Sequence, residues 1–253
     1  VLDECPPGNA PREVIEDAMA RTSDWAVRCL QTEPAEGQAR FGIVQGGTEL
    51  DLRLAHLQTI AALDFDGVAL GGFSVGEPPA RMYELLSEVA PQMPVDRPRY
   101  LMGVGTPTDL LRALASGIDL FDCVLPTRNA RNGQALTWGG RVNRRQARHR
   151  DDQSPLDAHC DCSVCTTYSR AYLRHLIKAD EMLGPRLVTL HNLHFYGALM
   201  REAREMIRLG RLHPWVEKTL ETKRELDKVR DRRTMYPEKR QKQQRSTGRP
   251  PRR

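Results

Sequence analysis

Three cysteines crowd into six residues as Cys160-x-Cys162-x2-Cys165. Thiolates at that spacing can wrap one tetrahedral zinc ion, with a fourth ligand supplied from elsewhere in the chain. His191 and His194 lie 26 and 29 residues beyond Cys165, and His159 and His175 are nearer competitors. With four protein ligands such a site is closed, so its zinc would be structural, one ion per chain, pinning the segment around it. A second chemical signal is Asp122, in Phe121-Asp122-Cys123, just before Pro126-Thr127-Arg128-Asn129-Ala130-Arg131-Asn132-Gly133. A carboxylate there can serve as a general base, a covalent nucleophile or a cap. Arg128 and Arg131 tilt the choice, because guanidinium groups grip phosphate through two hydrogen bonds at once. An acid beside phosphate-binding arginines suits attack on a sugar carbon of a nucleic acid. Glycines 46, 47, 71, 72, 103 and 105 would let a planar ligand approach the backbone, and Met102 could pack on its ring or belong to the core.

The elements that must hold these groups are readable from periodicity. Short apolar runs at 1–3, 41–45, 67–71, 100–104 and 118–123 alternate with helix-like stretches near 11–30, 48–63, 79–91 and 106–116. Thr106 followed by Pro107 is a good helix start. Strands alternating with helices predict parallel βα units. Each run ends in a glycine or a polar residue, which is where α/β barrels place their active sites. A doubly wound open sheet is the rival, but no G-x-G-x-x-G turn with a downstream acid is present. Five strands are expected where a closed barrel needs about eight, so the chain, beginning at Val1 inside an element, reads as a fragment.

From 127 to 150 the pattern becomes hairpin-like, with seven arginines, no acid and a Gly139-Gly140 turn. Beyond the cysteines, 168–179 and 185–209 read as amphipathic helices. The segments expected are barrel units over 1–126, a basic hairpin and zinc-binding insertion over 127–183, helices over 184–236 and a disordered basic tail over 237–253. The net charge of +5 belongs to that tail: 237–253 holds seven Lys/Arg against one Glu, leaving about −1 for the rest. A tail of Arg, Lys, Gln and Pro has too few apolar side chains to fold alone. No apolar run approaches the roughly 20 residues of a membrane helix. With no export signal at the start and cysteines too sparse for a secreted disulfide scaffold, the expected setting is the reducing cytoplasm.

Several blocks occur in a fixed order: Phe41-Gly42-Ile43-Val44-Gln45-Gly46-Gly47, Gly71-Gly72-Phe73-Ser74-Val75-Gly76-Glu77, Tyr100-Leu101-Met102-Gly103-Val104-Gly105 and Asp122 through Gly133. The cysteine cluster and His191-Asn192-Leu193 follow. From Val1 to about residue 210 this series closely resembles bacterial-type tRNA-guanine transglycosylase, also called queuine tRNA-ribosyltransferase. The resemblance implies an α/β fold, a zinc-containing (β/α)8 TIM barrel. It also implies replacement of the anticodon wobble guanine of certain tRNAs by 7-aminomethyl-7-deazaguanine, on the route to queuosine.

Carried over residue by residue, Asp122 corresponds to the nucleophile that attacks ribose C1′ and releases guanine. Asp3, Gln45 and Gly72 correspond to residues that bind the base, and Met102 to the side chain that packs on it. Gly103, Val104, Gly105, Thr106, Pro107, Thr108 and Asp109, with Thr127, Arg128, Asn129, Ala130 and Arg131, correspond to the RNA contacts. The zinc ligands become Cys160, Cys162, Cys165 and His191. The expected partners are tRNA with a wobble guanine, a 7-deazaguanine base and a second copy of the chain in a homodimer. The family's general acid/base aspartate falls in an N-terminal third not included here, and Phe73-Ser74 stands where Leu-Ala is common. The competing readings are a non-catalytic tRNA-binding relative, disfavoured by retention of Asp122, and a metal-dependent barrel hydrolase, disfavoured by the lack of strand-end histidines.

Overall fold

Four short apolar runs, each followed by an amphipathic stretch, build a parallel sheet with its helices. The computed structural model describes residues 1–143 and 145–222. The expectations for the basic tail, for the end of the 184–236 segment and for Arg144 lie outside them.

The first of two compact units covers Val1–Arg128. Its strands are β1 (Phe41–Val44), β2 (Gly67–Leu70), β3 (Arg99–Leu101) and β4 (Leu120–Phe121). They pair in chain order, all parallel, with Val44 opposite Leu70 and Leu70 opposite Leu101. That order follows from the crossovers, because parallel neighbours joined by a helix cannot be reached by a tight turn. The helices are α1 (Arg12–Leu30) before the sheet, then α2 (Leu50–Ala61), α3 (Pro79–Val89) and α4 (Pro107–Ala115) between strands. Val44, Val68, Leu70 and Leu101 are fully enclosed by Leu57, Ile60, Leu86, Val89 and Ile118. Strands buried on both faces read as continuous apolar runs, which is why they were visible as such.

Two expectations are corrected here. Residues 1–3 are not a fifth strand: they form no ladder, and the Val1 amino group alone reaches β1, donating to the Phe41 carbonyl. A segment this short, running into Pro6-Pro7, has too few N–H groups to sustain strand pairing. The stretch expected to open a hairpin at 127 instead begins as a helix, α5 (Leu125–Arg131), closed by Arg128 N–H donating to the Val124 carbonyl.

The second unit begins at Asn129. The antiparallel hairpin β5 (Gln134–Thr137) and β6 (Gly140–Asn143) turns at Trp138-Gly139. The helices α6 (Ser163–Thr167), α7 (Arg170–Lys178) and α8 (Leu183–Arg208) follow. Their core gathers Ala130, Ala135, Val142, Leu156, Leu173, Leu176, Leu187 and Val188 around the three crowded cysteines. No helix among the described residues is long and apolar enough to cross a membrane.

Candidate functional site

The carboxyl ends of four adjacent parallel strands all deliver candidate residues: Gln45 after β1, Gly72 after β2, Met102 and Gly103 after β3, and Asp122 after β4. Asp122 is solvent-exposed, and its Oδ1 accepts two hydrogen bonds, from the Tyr100 hydroxyl at 2.7 Å and from Gly103 N–H at 2.8 Å. Both bonds fall on Oδ1 and, among the described residues, none falls on Oδ2. One oxygen is therefore anchored and the other presented. Gly103 offers its amide by turning into the left-handed region at φ +70°, a conformation that favours glycine. Burial, and secondarily the bond to Asp122, raises the Tyr100 pKa to about 12, so the phenol stays a donor throughout the neutral range.

Asp3 and Gln45 form the second part. The Gln45 amide Nε2 donates to Asp3 Oδ2 at 2.6 Å. Gln45 is fully buried, and its Oε1 has no hydrogen-bond partner among the described residues. A buried acceptor without a donor costs free energy until one arrives, which marks it as facing a ligand or water. The backbone of Gln45 is fixed too: its N–H donates to His56 Nδ1 at 2.8 Å, and His56 Nε2 reaches Ser23 Oγ at 3.1 Å. An imidazole accepting at Nδ1 must carry its proton at Nε2, and burial lowers the His56 pKa to about 4, keeping it neutral. Gly72, at φ +67°, sits so close to Gln45 that a Cβ would lie 2.4 Å from Oε1. Met102 is half-buried at the end of β3. Beyond Gly72, the Glu77 carboxylate accepts from the amides of Ser74 (2.5 Å) and Val75 (3.0 Å), holding Ser74 at φ 60°.

The segments expected to touch RNA divide by exposure. Thr106 caps α4 and shares a capping box with Asp109, whose other oxygen accepts from the Tyr83 hydroxyl at 2.5 Å. The Asp109 carboxylate is thus committed to shaping the loop 103–109, with Val104 and Gly105 buried beneath it. In α5, Arg128 is exposed and Thr127 bonds back to Val124, while Ala130 is fully buried in the second unit's core. Arg131 is exposed and Asn129 is half-buried. A cleft of about 440 Å³ lined by Val1, Arg40, Phe41, Tyr100 and Phe121 opens at the amino ends of the strands and holds none of the candidate residues.

In the second unit Cys160, Cys162, Cys165 and His191 converge, their ligand atoms all within 4.8 Å of one another. His191 Nδ1 lies 3.7, 3.5 and 3.3 Å from the three sulfurs. Tetrahedral zinc with ordinary bond lengths requires N···S edges of about 3.6 Å, so the donor set fits such an ion. The tautomer is set from behind: His191 Nε2 bonds to the Leu136 carbonyl at 2.8 Å, turning Nδ1 toward the sulfurs. Asn192, the next residue, takes Leu136 N–H on Oδ1 and donates to the Gln134 carbonyl, so α8 grips β5 through two successive side chains. Burial pushes the Cys160 and Cys165 thiols up, so a cation among them is what would ionise them. His194 bonds to the exposed Asp161 at 2.9 Å and, with Asp161 and Cys160, makes a separate grouping; His159 and His175 join neither.

The family description Queuine tRNA-ribosyltransferase matches residues 1–225. The chain belongs to the queuine tRNA-ribosyltransferase family. It is 59% identical over 211 residues to the Queuine tRNA-ribosyltransferase of Sorangium cellulosum, covering 83% of this chain and 53% of that protein. The namesake from Solidesulfovibrio magneticus is 56% identical over 213 residues, covering 83% and 57%, and that from Macrococcus caseolyticus 51% over 221, covering 87% and 58%. The chain spans a little over half the length of the curated relatives it matches. Membership in the queuine tRNA-ribosyltransferase family bears out the resemblance read from the ordered blocks. What sequence reading missed were the supports: Tyr100 and Glu77, inside quoted blocks, and Arg53 and His56, on α2 outside them, all lacking any signal of burial or bonding.

Proposed function

We propose that the protein containing this chain exchanges the wobble guanine of tRNA anticodons for 7-aminomethyl-7-deazaguanine, as a pentosyltransferase on the route to queuosine. The observation that carries this reading is the exposed Asp122 carboxylate, anchored on Oδ1 alone, at the same carboxyl end of the parallel strands as the Asp3–Gln45–Gly72 cluster. Asp122 Oδ2 attacks ribose C1′ as the bond from C1′ to N9 breaks. The electron pair leaves with guanine, which takes up a proton. N9 of the incoming base, giving up its own proton, then attacks C1′, and the ester bond returns its pair to the carboxylate. Two displacements at one carbon retain its configuration, as in retaining glycosidases. Tyr100 and Gly103 steady the carboxylate in both halves of the cycle by bonding the oxygen that does not react.

Asp3, Gln45 and Gly72 read the base edge, because a base of another donor pattern would leave buried polar groups unpaired. Met102 packs on its face. The segments 103–109 and 127–131 meet the anticodon loop through their exposed members, Gly103, Arg128 and Arg131 foremost, with Val104, Gly105 and Ala130 shaping them from beneath, and the target nucleotide must be unstacked to enter. In this reading the four strands belong to a (β/α)8 barrel, the metal on Cys160, Cys162, Cys165 and His191 is a structural zinc, and the enzyme works in the cytoplasm as a homodimer. The test is incorporation of radiolabelled guanine into tRNA by the full-length protein. Asp122→Asn should abolish it along with any covalent protein–RNA adduct. Undiminished exchange in that variant would remove Asp122 from its role.

A further inference from the structure

Arg53 is the largest fully buried side chain among the described residues, on the face of α2 turned toward the sheet. Among the described residues no carboxylate lies within ion-pair distance of it. Its guanidinium instead donates to three backbone carbonyls: Nε to Gly47 at 2.7 Å, Nη1 to Gly71 at 3.0 Å and Nη2 to Gly72 at 2.9 Å. The Phe73 ring covers the plane, 3.6 Å from the guanidinium carbon. Burial pushes its pKa down, yet it remains cationic at neutral pH. Gly46 lies against the stem of this side chain, and a Cβ there would stand 2.6 Å from the Arg53 backbone nitrogen. A charge buried on carbonyls alone is expensive, so a group that merely filled space here would be better made of hydrocarbon.

The three carbonyls belong to the two glycine loops that follow β1 and β2. No peptide among the described residues is cis. In a trans peptide the C=O and the following N–H point in opposite directions. Holding the Gly71 carbonyl against Arg53 therefore aims the Gly72 N–H away from the guanidinium and from α2. The geometry points to Arg53 as a positioning residue for base recognition: through the Gly71 and Gly72 carbonyls it fixes the direction in which the Gly72 N–H meets a carbonyl acceptor on the incoming base. This rests on the base-exchange reading above and extends it to a residue that touches neither base nor RNA. Lysine cannot replace it, because one ammonium on a flexible stem does not span three fixed carbonyls. The Phe73 ring, standing where Leu is common, clamps the guanidinium from its open face.

The test uses the full-length enzyme with Arg53→Lys and Arg53→Met. KM for guanine and KM for tRNA are measured separately, together with kcat and with discrimination between guanine and 2-aminopurine, which lacks the 6-carbonyl. In both variants KM for guanine should rise about ten-fold or more and discrimination should fall comparably, while kcat and KM for tRNA stay within about two-fold. Where neither variant folds, Phe73→Ala unclamps the same guanidinium and should raise KM for guanine a few-fold with no change for tRNA. Unchanged KM for guanine and unchanged discrimination in a folded variant would overturn the inference while leaving the base-exchange reading intact. Equal losses in all parameters would overturn it too, by making Arg53 a purely structural residue. Absence of guanine exchange in the wild-type protein would overturn both.

Discussion

Tyr100→Phe isolates the anchoring of Asp122 from everything else in the site. The substitution removes one hydroxyl and keeps the ring, so the edge-to-face contact with Phe41, centroids 6.0 Å apart, survives. What is lost is the 2.7 Å bond to Asp122 Oδ1, leaving Gly103 N–H at 2.8 Å as the remaining anchor. A hydrogen bond to a charged group is worth about 1.5–3 kcal/mol. Asp122 is exposed, so water replaces part of the lost bond and the lower end applies. Since about 1.4 kcal/mol is a factor of ten, kcat should fall about ten-fold. KM for guanine and the dissociation constant for tRNA should stay put, because Tyr100 touches neither in this reading. Steady-state guanine exchange with saturating tRNA measures the first, and filter binding the last. Wild-type kcat in Tyr100→Phe would refute the idea that anchoring one oxygen matters. A tRNA-binding defect equal to the loss in rate would refute the assignment of the phenol to the carboxylate.

Three further outcomes are expected. Cys162→Ala should abolish the one bound metal per chain, detected by elemental analysis of the protein, and loosen the second unit by local unfolding seen in hydrogen exchange; a full metal complement in the variant would contradict the ligand set. His56 has its pKa lowered from 6.5 to about 4 on folding, so between those values the unfolded chain binds a proton that the folded one refuses. Stability is therefore intact above pH 6.5 and lost as pH falls, by about 2 kcal/mol at pH 5. Denaturant titrations at pH 7 and pH 5 should show this in the wild type and a flatter dependence in His56→Asn; identical slopes would sink it. Gly105→Ala would place a methyl 2.1 Å from the Cys123 sulfur and should cost about 1–3 kcal/mol, recovered in part by adding Cys123→Gly. A fully stable single variant would show that the loop beside Asp122 yields freely.

The sequence was most legible where one physical rule acted alone. Strands β1 and β2, enclosed on both faces, announced themselves as apolar runs, and Thr106-Pro107 announced the start of α4 within a residue. The three cysteines declared a metal site by crowding. Their fourth partner was not legible from spacing, because His191 and His194 share α8 and what separates them is the Leu136 carbonyl, supplied by a hairpin some 55 residues away in sequence. Residues 127–131 were misread because arginines and a nearby Gly-Gly turn suit a hairpin, whereas the helix there depends on a backbone bond to Val124. Arg53 was invisible for a different reason. On an amphipathic helix an arginine is expected in solvent, and only glycines at 46, 47, 71 and 72, which leave room for carbonyls to converge, draw it inside.

His191 and Asn192 sit on one turn of α8, the first facing the sulfurs and the second holding the backbone of β5. A metal held on those sulfurs would in consequence seat the hairpin as it binds. Removing such an ion would free the β5–β6 ribbon from α8, a loosening that hydrogen exchange across 134–143 would register.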